Sequence, residues 1–276
     1  MHELPKNTRL ILTILAVVIG IFLIAAVPFI VQISLERVVN ALDTVSDKQP
    51  AYSSGIPIFN LFYPLWRAFA FMAGITLLAI SGSIYSGKGW TFPVALSAYA
   101  IPSVGGMFMF LPYISWVGGF PLPMVLSWAG LVGFWSMLLL QKVDRMQKLV
   151  DFLVFTFIGM LATHAFVIGI GAQRMLMTRP EQPLYAGLQW WILTISGEVN
   201  WIAVIMLLLS IPLLALRKSS GWWLAFLAGL AILAIDAPTQ IVRTKTLDYL
   251  YGSLLSIGLL LWISLPVFRT RLVKDP

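Results

Sequence analysis

Eight long apolar runs separated by short polar stretches set the pattern of this chain. They extend from about Leu10 to Ile33, Leu65 to Tyr85, Trp90 to Leu111, Pro121 to Leu140, Leu149 to Ala172, Glu198 to Leu216, Trp222 to Val242 and Tyr249 to Phe268. Each approaches the roughly 20 residues that a helix rising about 1.5 Å per residue needs to cross about 30 Å of hydrocarbon. The runs are continuous. Transmembrane strands would instead alternate over segments of about 10 residues, and lipid offers unpaired backbone groups no partner. The pattern therefore predicts an all-α fold: a polytopic transmembrane bundle of about eight helices, forming a single integral membrane domain over residues 1–276.

Two stretches between the runs carry a pattern of their own. Leu35, Val38, Val39, Leu42 and Val45 recur near helical spacing, with Glu36, Arg37, Asn40 and Asp43 elsewhere around the turn. This predicts an amphipathic helix over Ser34 to Val45, lying on the outer surface or extending the first span. The proline- and aromatic-rich segment Gln49 to Pro64 reads as an interfacial loop, as does Arg179 to Trp191. The first run follows Lys6 and Arg9, as a secretory signal would. Its apolar stretch exceeds the usual signal core of about 7 to 15 residues, so a retained anchor is expected.

Composition strengthens the membrane reading. Residues of the AVILMFWYC set make up 59% of the chain and charged residues 11%, far from the roughly 25% charged of soluble domains. Cysteine is absent and only His2 and His164 represent histidine. Thiolate chemistry and a three-histidine metal site are thereby excluded, and no metal or cofactor is expected.

Charge sets the orientation. Lys6, Arg9, Lys88, Lys142, Arg145, Lys148, Arg217, Lys218, Arg269, Arg271 and Lys274 all fall on the side of the N-terminus, and the net charge of +7 resides there. On the other side, Arg37, Lys48, Arg67, Arg174, Arg179, Arg243 and Lys245 are balanced by Glu36, Asp43, Asp47, Glu181, Glu198, Asp236 and Asp248. Short loops rich in Lys and Arg mark the cytoplasmic face, which places both termini inside a plasma or inner membrane. The basic balance then reflects topology and anionic lipid, so the lipid bilayer, alone or with other membrane subunits, is the expected partner and nucleic acid is not.

A faint internal repeat runs through the chain. Tyr85-Ser-Gly-Lys-Gly-Trp90 joins spans two and three, and Arg217-Lys-Ser-Ser-Gly-Trp222 joins spans six and seven. Halves 1–148 and 149–276 would then be parallel repeats of four helices each. The plainer account is that basic-Gly-Trp turns are common at cytoplasmic interfaces.

Ionisable residues inside the spans are the main clue to chemistry, because they are costly in hydrocarbon and face partners or cavities. At about 1.5 Å per residue, His164 lies about 22 Å from Leu149 and Asp236 about 21 Å from Trp222, so they share a level in the outer third. Asp236, Thr239, Gln240 and Arg243 stand at i, i+3, i+4 and i+7, a single polar face if the helix continues through Pro238. The alternative ends that helix at Ile235. These four residues and His164 form the candidate ligand-binding set. Arg67 and Glu198 each begin the second helix of a half, near the outer interface, and are a candidate ion pair; snorkelling to headgroups is the alternative. Gly159 with Thr163, Ala165 with Gly169, Ala225 with Gly229, and Ala98 with Gly106 through Pro102 repeat at four-residue spacing, suited to close helix packing.

No phosphate loop, zinc helix, nucleophile elbow or acid pair is present, so no catalytic residue is assigned. Three classes of function fit. The first is a carrier or permease for an apolar or lipid-like small molecule, with a polar site in the outer leaflet half. The second is a non-catalytic subunit of a larger membrane complex. The third is a membrane-embedded enzyme, with Asp236 and His164 as acid and base.

Overall fold

The computed structural model of the protein describes residues 4–177, 187–243 and 246–274. The expected loop at 179–191 falls largely outside the described residues, as do His2, Glu3, Lys245 and Asp275. Among the described residues every regular element is helical: α1 (Lys6–Ala25), α2 (Val27–Ser46), a single 3-10 turn (Pro50–Tyr52), α3 (Gly55–Tyr85), α4 (Thr91–Trp116), α5 (Leu122–Leu139), α6 (Arg145–Met177), α7 (Leu188–Ala215), α8 (Ser219–Val242), α9 (Asp248–Ser264) and α10 (Pro266–Leu272). Seven of these are long and apolar enough to cross a membrane, or eight if the bent pair α9–α10 is one span. The protein is thus an all-helical, multi-pass membrane bundle.

Several boundaries differ from the hydropathy pattern, each for a backbone reason. The first run breaks at Ala26, two residues before Pro28, which has no N–H to continue the ladder. The amphipathic stripe lies within α2, and its Leu35, Val38 and Leu42 are buried in the protein. With only Ala26 between α1 and α2, the stripe continues from the first span, the second of its two expected placements. Most of the expected 49–64 loop is helix: Pro57 sits in the first turn of α3, where a missing N–H costs nothing, and Pro64 is accommodated inside it. Likewise α7 begins ten residues before Glu198. The last run breaks at Leu265, held extended (φ −60°, ψ 127°) by the following Pro266, and α10 departs from α9 at 78°.

The chain divides into two compact units, residues 1–41 with 59–152 and residues 42–58 with 153–276. In the first, α4 and α5 pack closely because glycine removes side chains at their crossing. Gly106 of α4 lies against the Ser127 backbone, and Gly133 of α5 against the Tyr99 ring. Gly20 of α1 and Gly74 of α3 meet similarly. The buried Tyr63 donates its hydroxyl to the Met109 carbonyl at 2.9 Å and meets Phe108 edge-on. Arg37 donates to the Tyr113 hydroxyl at 2.7 Å. Around α1 the outward residues are Leu10, Ile14, Val18 and Ile21, an apolar face suited to lipid.

The second unit contains α7, α8, α9 and most of α6. Here burial runs opposite to a soluble helix. On α9 the small and polar residues Gly252, Ser253 and Ser256 are buried while Leu250, Leu254, Ile257 and Leu261 are exposed. The 3-10 turn belongs to this unit, and the Arg174 guanidinium lies 5.4 Å from the centre of the Tyr52 ring. The break after α9 is satisfied from α8: Trp222 Nε1 donates to the Ile263 carbonyl at 2.8 Å, and Arg269 stacks over its ring at 4.8 Å.

The two turns behind the suspected repeat share one backbone motif. After α3, Lys88 N bonds Ser83 O and Gly87 N bonds Ile84 O; after α7, Lys218 N bonds Leu213 O and Arg217 N bonds Leu214 O. Both are Schellman closures. Their left-handed residues are Gly87 (φ 73°) and Arg217 (φ 56°), which stand at different distances from Trp90 and Trp222, so the motif is common to both turns but its register is not.

Candidate functional site

Helix α8 continues through Pro238 to Val242. The alternative, a helix ending at Ile235, is not what forms. Its buried face carries Ala225, Ala228, Gly229, Ile232, Asp236 and Thr239, so one stripe that starts as small and apolar ends in a carboxylate. Pro238 releases the carbonyl of Ala234 four residues earlier. Both Ala234 and Pro238 lie on the exposed face, so that carbonyl is not part of the buried site.

The Asp236 side chain is 0% exposed. Its Oδ1 accepts from Asn200 Nδ2 at 2.9 Å and from Ser196 Oγ at 3.2 Å, both on α7. Its Oδ2 has no hydrogen-bond partner. That second oxygen is aimed at α9, where Gly252 leaves room: a Cβ built on Gly252 would collide with Asp236 Oδ2 and lie 3.3 Å from His164 Cδ2. The carboxylate and the imidazole therefore flank the same glycine.

No hydrogen bond joins the two side chains. His164 Nε2 instead lies 2.7 Å from the Asp248 carbonyl, and since a carbonyl only accepts, Nε2 carries the proton and donates. Asp248 is the first residue of α9, so this bond ties α6 to the start of α9 directly beside Gly252. Tyr249, buried, packs with Ile168, Ala172 and Leu193 behind it.

The remaining members of the polar face have local roles. Thr239 donates back to Ile235 O at 2.6 Å. Gln240 donates to the carbonyls of Arg243 and Thr246 and accepts from Leu250 N at 2.8 Å. It closes the connection between α8 and α9 and caps a free N–H in the first turn of α9, for which the N-cap residue Leu247 has no side-chain group. Arg243 donates to Met175 Sδ. Of the candidate ligand set, then, Asp236 and His164 meet at Gly252, while Thr239, Gln240 and Arg243 are engaged in the backbone and edges of the same unit.

Arg67 and Glu198 lie in different units. Arg67 donates to Gln32 Oε1 at 2.8 Å, and the same amide donates to Glu36 Oε1 at 2.8 Å, so its charge is linked to a carboxylate on α2. Glu198 is exposed on α7, heading a stripe with Ile202, Ile205 and Leu209.

Three residues of the site escaped the sequence reading: Ser196, Asn200 and Gly252. The first two stand at i and i+4 in an apolar helix, which marks a polar face once the helix is started at Leu188 rather than at Glu198. Gly252 and Ser256 repeat that spacing on α9. Among the small-residue pairs, Gly169 receives the Trp201 ring and Gly229 approaches Leu260, as close packing requires, whereas Gly159 faces open space. Its carbonyl accepts the Thr163 hydroxyl at 2.9 Å instead.

No group of three or more His, Cys, Asp or Glu side chains suited to a metal ion occurs among the described residues. Comparison with protein-family models, with curated proteins and with solved structures yields no match.

Proposed function

We propose that this protein is a carrier or permease for an apolar or lipid-like small molecule, with its polar site in the outer half of the second unit and both termini on the cytoplasmic side of a plasma or inner membrane. The observation that supports it most directly is Asp236: a fully buried carboxylate in a membrane helix, with one oxygen held by α7 and the other unpartnered against Gly252. A buried polar group without a partner costs about 1–3 kcal/mol, a cost that binding chemistry at this point would offset. His164 across Gly252 adds an imidazole whose Nε2 is occupied, leaving Nδ1 as its second polar atom.

The exposed stripe of Glu198, Ile202, Ile205 and Leu209 favours the second reading, a subunit of a larger assembly, because a carboxylate at the head of an apolar face suits a basic residue of a neighbouring helix. An enzymatic role draws less support: the Cδ2 edge of His164 faces Gly252, and no hydrogen bond links Nδ1, the basic nitrogen while Nε2 donates, to Asp236.

Purification in mild detergent followed by native mass spectrometry with lipid and small-molecule identification tests the choice. Retention of one small molecule by the wild type, lost in Asp236→Asn, supports the carrier. Recovery of a polypeptide in fixed ratio, with no small molecule, would replace it with the subunit reading.

A further inference from the structure

Helices α7, α8 and α9 each contribute a buried side-chain oxygen with no hydrogen-bond partner: Asn200 Oδ1, Asp236 Oδ2 and Ser256 Oγ. Two of them, Asn200 and Ser256, share a level one turn from Asp236. Ser196 and Gly252 both touch Asp236, from opposite sides. Asn200 lies one turn beyond Ser196 and Ser256 one turn beyond Gly252, both toward the end of α8 that carries Trp222, about 5.4 Å from the level of Asp236. Asn200 spans that step by its bond to Asp236.

The amide orientation follows from chemistry. Asn200 Nδ2 faces the Ser196 carbonyl at 2.9 Å and Asp236 Oδ1 at 2.9 Å. Both are acceptors, so a flipped amide would set oxygen against oxygen. Its two N–H groups are used, and Oδ1 is the atom left over.

Buried oxygens that include one carboxylate repel anions and offer no soft donor, so this face of the three helices suits a hard cation. A single negative charge balances a monovalent ion. Calcium takes 6–8 oxygen ligands and magnesium a strict octahedron with retained water, neither of which one carboxylate in a dry bundle supplies. We propose that the oxygens of Asp236, Asn200 and Ser256 form a binding site for one small monovalent cation, sodium or a proton. The role of that cation as a coupling ion rests on the carrier reading; its binding does not.

Of the titratable and charged groups nearby, His164 from α6 meets Asp236 at Gly252; Asp248 and Tyr249 stand in the first turn of α9, Asp248 with its carbonyl on His164, and Arg243 lies seven residues along α8 with a guanidinium bond to Met175. The polar groups α7 turns toward Asp236, Ser196 and Asn200, do not titrate.

The test is thermal unfolding of the purified protein in detergent, with sodium exchanged for choline at constant ionic strength, at several pH values. Stabilisation specific to sodium, of roughly 3–5 °C, weakened by acid and lost in Asp236→Asn, assigns sodium. Sodium-independent stabilisation by protons that persists in His164→Gln and is lost in Asp236→Asn assigns a proton. Equal responses of wild type and Asp236→Asn to both ions would overturn the site. Should Asp236→Asn fail to fold, binding of radioactive sodium and proton uptake by the wild type and Ser256→Ala decide: saturable sodium binding or proton uptake that weakens in Ser256→Ala supports the site, and absence of both in the wild type overturns it. The small molecule retained in native mass spectrometry is a separate readout, so loss of the cation site and loss of the carrier reading are distinguishable.

Discussion

At the scale of single residues, the energetics of the second unit turn on how Asp236 is held. Asn200 donates to it at 2.9 Å and Ser196 at 3.2 Å, so Asn200→Ala should cost more than Ser196→Ala. Removing the amide leaves a buried carboxylate with one weak donor, a loss of about 1–3 kcal/mol, against about 0.5–1 kcal/mol for the serine; thermal unfolding in detergent ranks the two. Glycine substitutions provide a second contrast. Gly252→Ala drives a methyl into Asp236 Oδ2 and should cost about 1–3 kcal/mol. Gly159→Ala meets nothing within 4 Å and should stabilise α6 by about 0.5–1 kcal/mol through helix propensity. Equal effects of the two alanines would contradict the packing around Gly252.

Helix ends, rather than helix middles, decide the behaviour of whole elements here. Arg217 holds φ 56° at the close of α7, a conformation that glycine adopts freely and a Cβ resists. Arg217→Gly is therefore expected to raise stability by about 1 kcal/mol, as Gly87 already does for α3; a lower midpoint would mean that the arginine side chain contributes more than its backbone strain costs. At the other end of the same unit, Gln240 makes three hydrogen bonds along the connection from α8 to α9, one of them from the Leu250 N–H in the first turn of α9. Gln240→Ala should free the first turn of α9, seen as faster amide exchange at Leu250 and its neighbours with little change in α7. That turn also carries the Asp248 carbonyl that His164 engages, so the imidazole should loosen with it.

For the whole molecule, topology is the testable quantity. If α9 and α10 form one bent span, eight crossings would return the chain to the side of the N-terminus, where the loop charges of the proposed topology put the net +7. Reporter fusions at the two ends should therefore give the same cytoplasmic signal. Opposite signals would mean that α9 with α10 does not cross, since α9 alone is 17 residues, about 25 Å, and α10 leaves it at 78°.

The membrane class, the helical state and the positions of most spans were determined by sequence alone, because about 20 consecutive apolar residues have one stable home and, in lipid, one stable backbone. Asp236 and His164 were legible for the same reason: an ionisable group in such a run stands out. Tertiary structure decided which groups they meet. Asn200 and Ser196 lay near a boundary that hydropathy drew too late, and Gly252 carries no side chain to notice, yet these residues orient the carboxylate and leave its second oxygen unpartnered. Helix breaks at Ala26 and Leu265 were likewise invisible to hydropathy, which averages over windows longer than the single proline that causes each break. Periodicity reports which face of a helix is buried, but the partner on that face is set by how other helices pack against it.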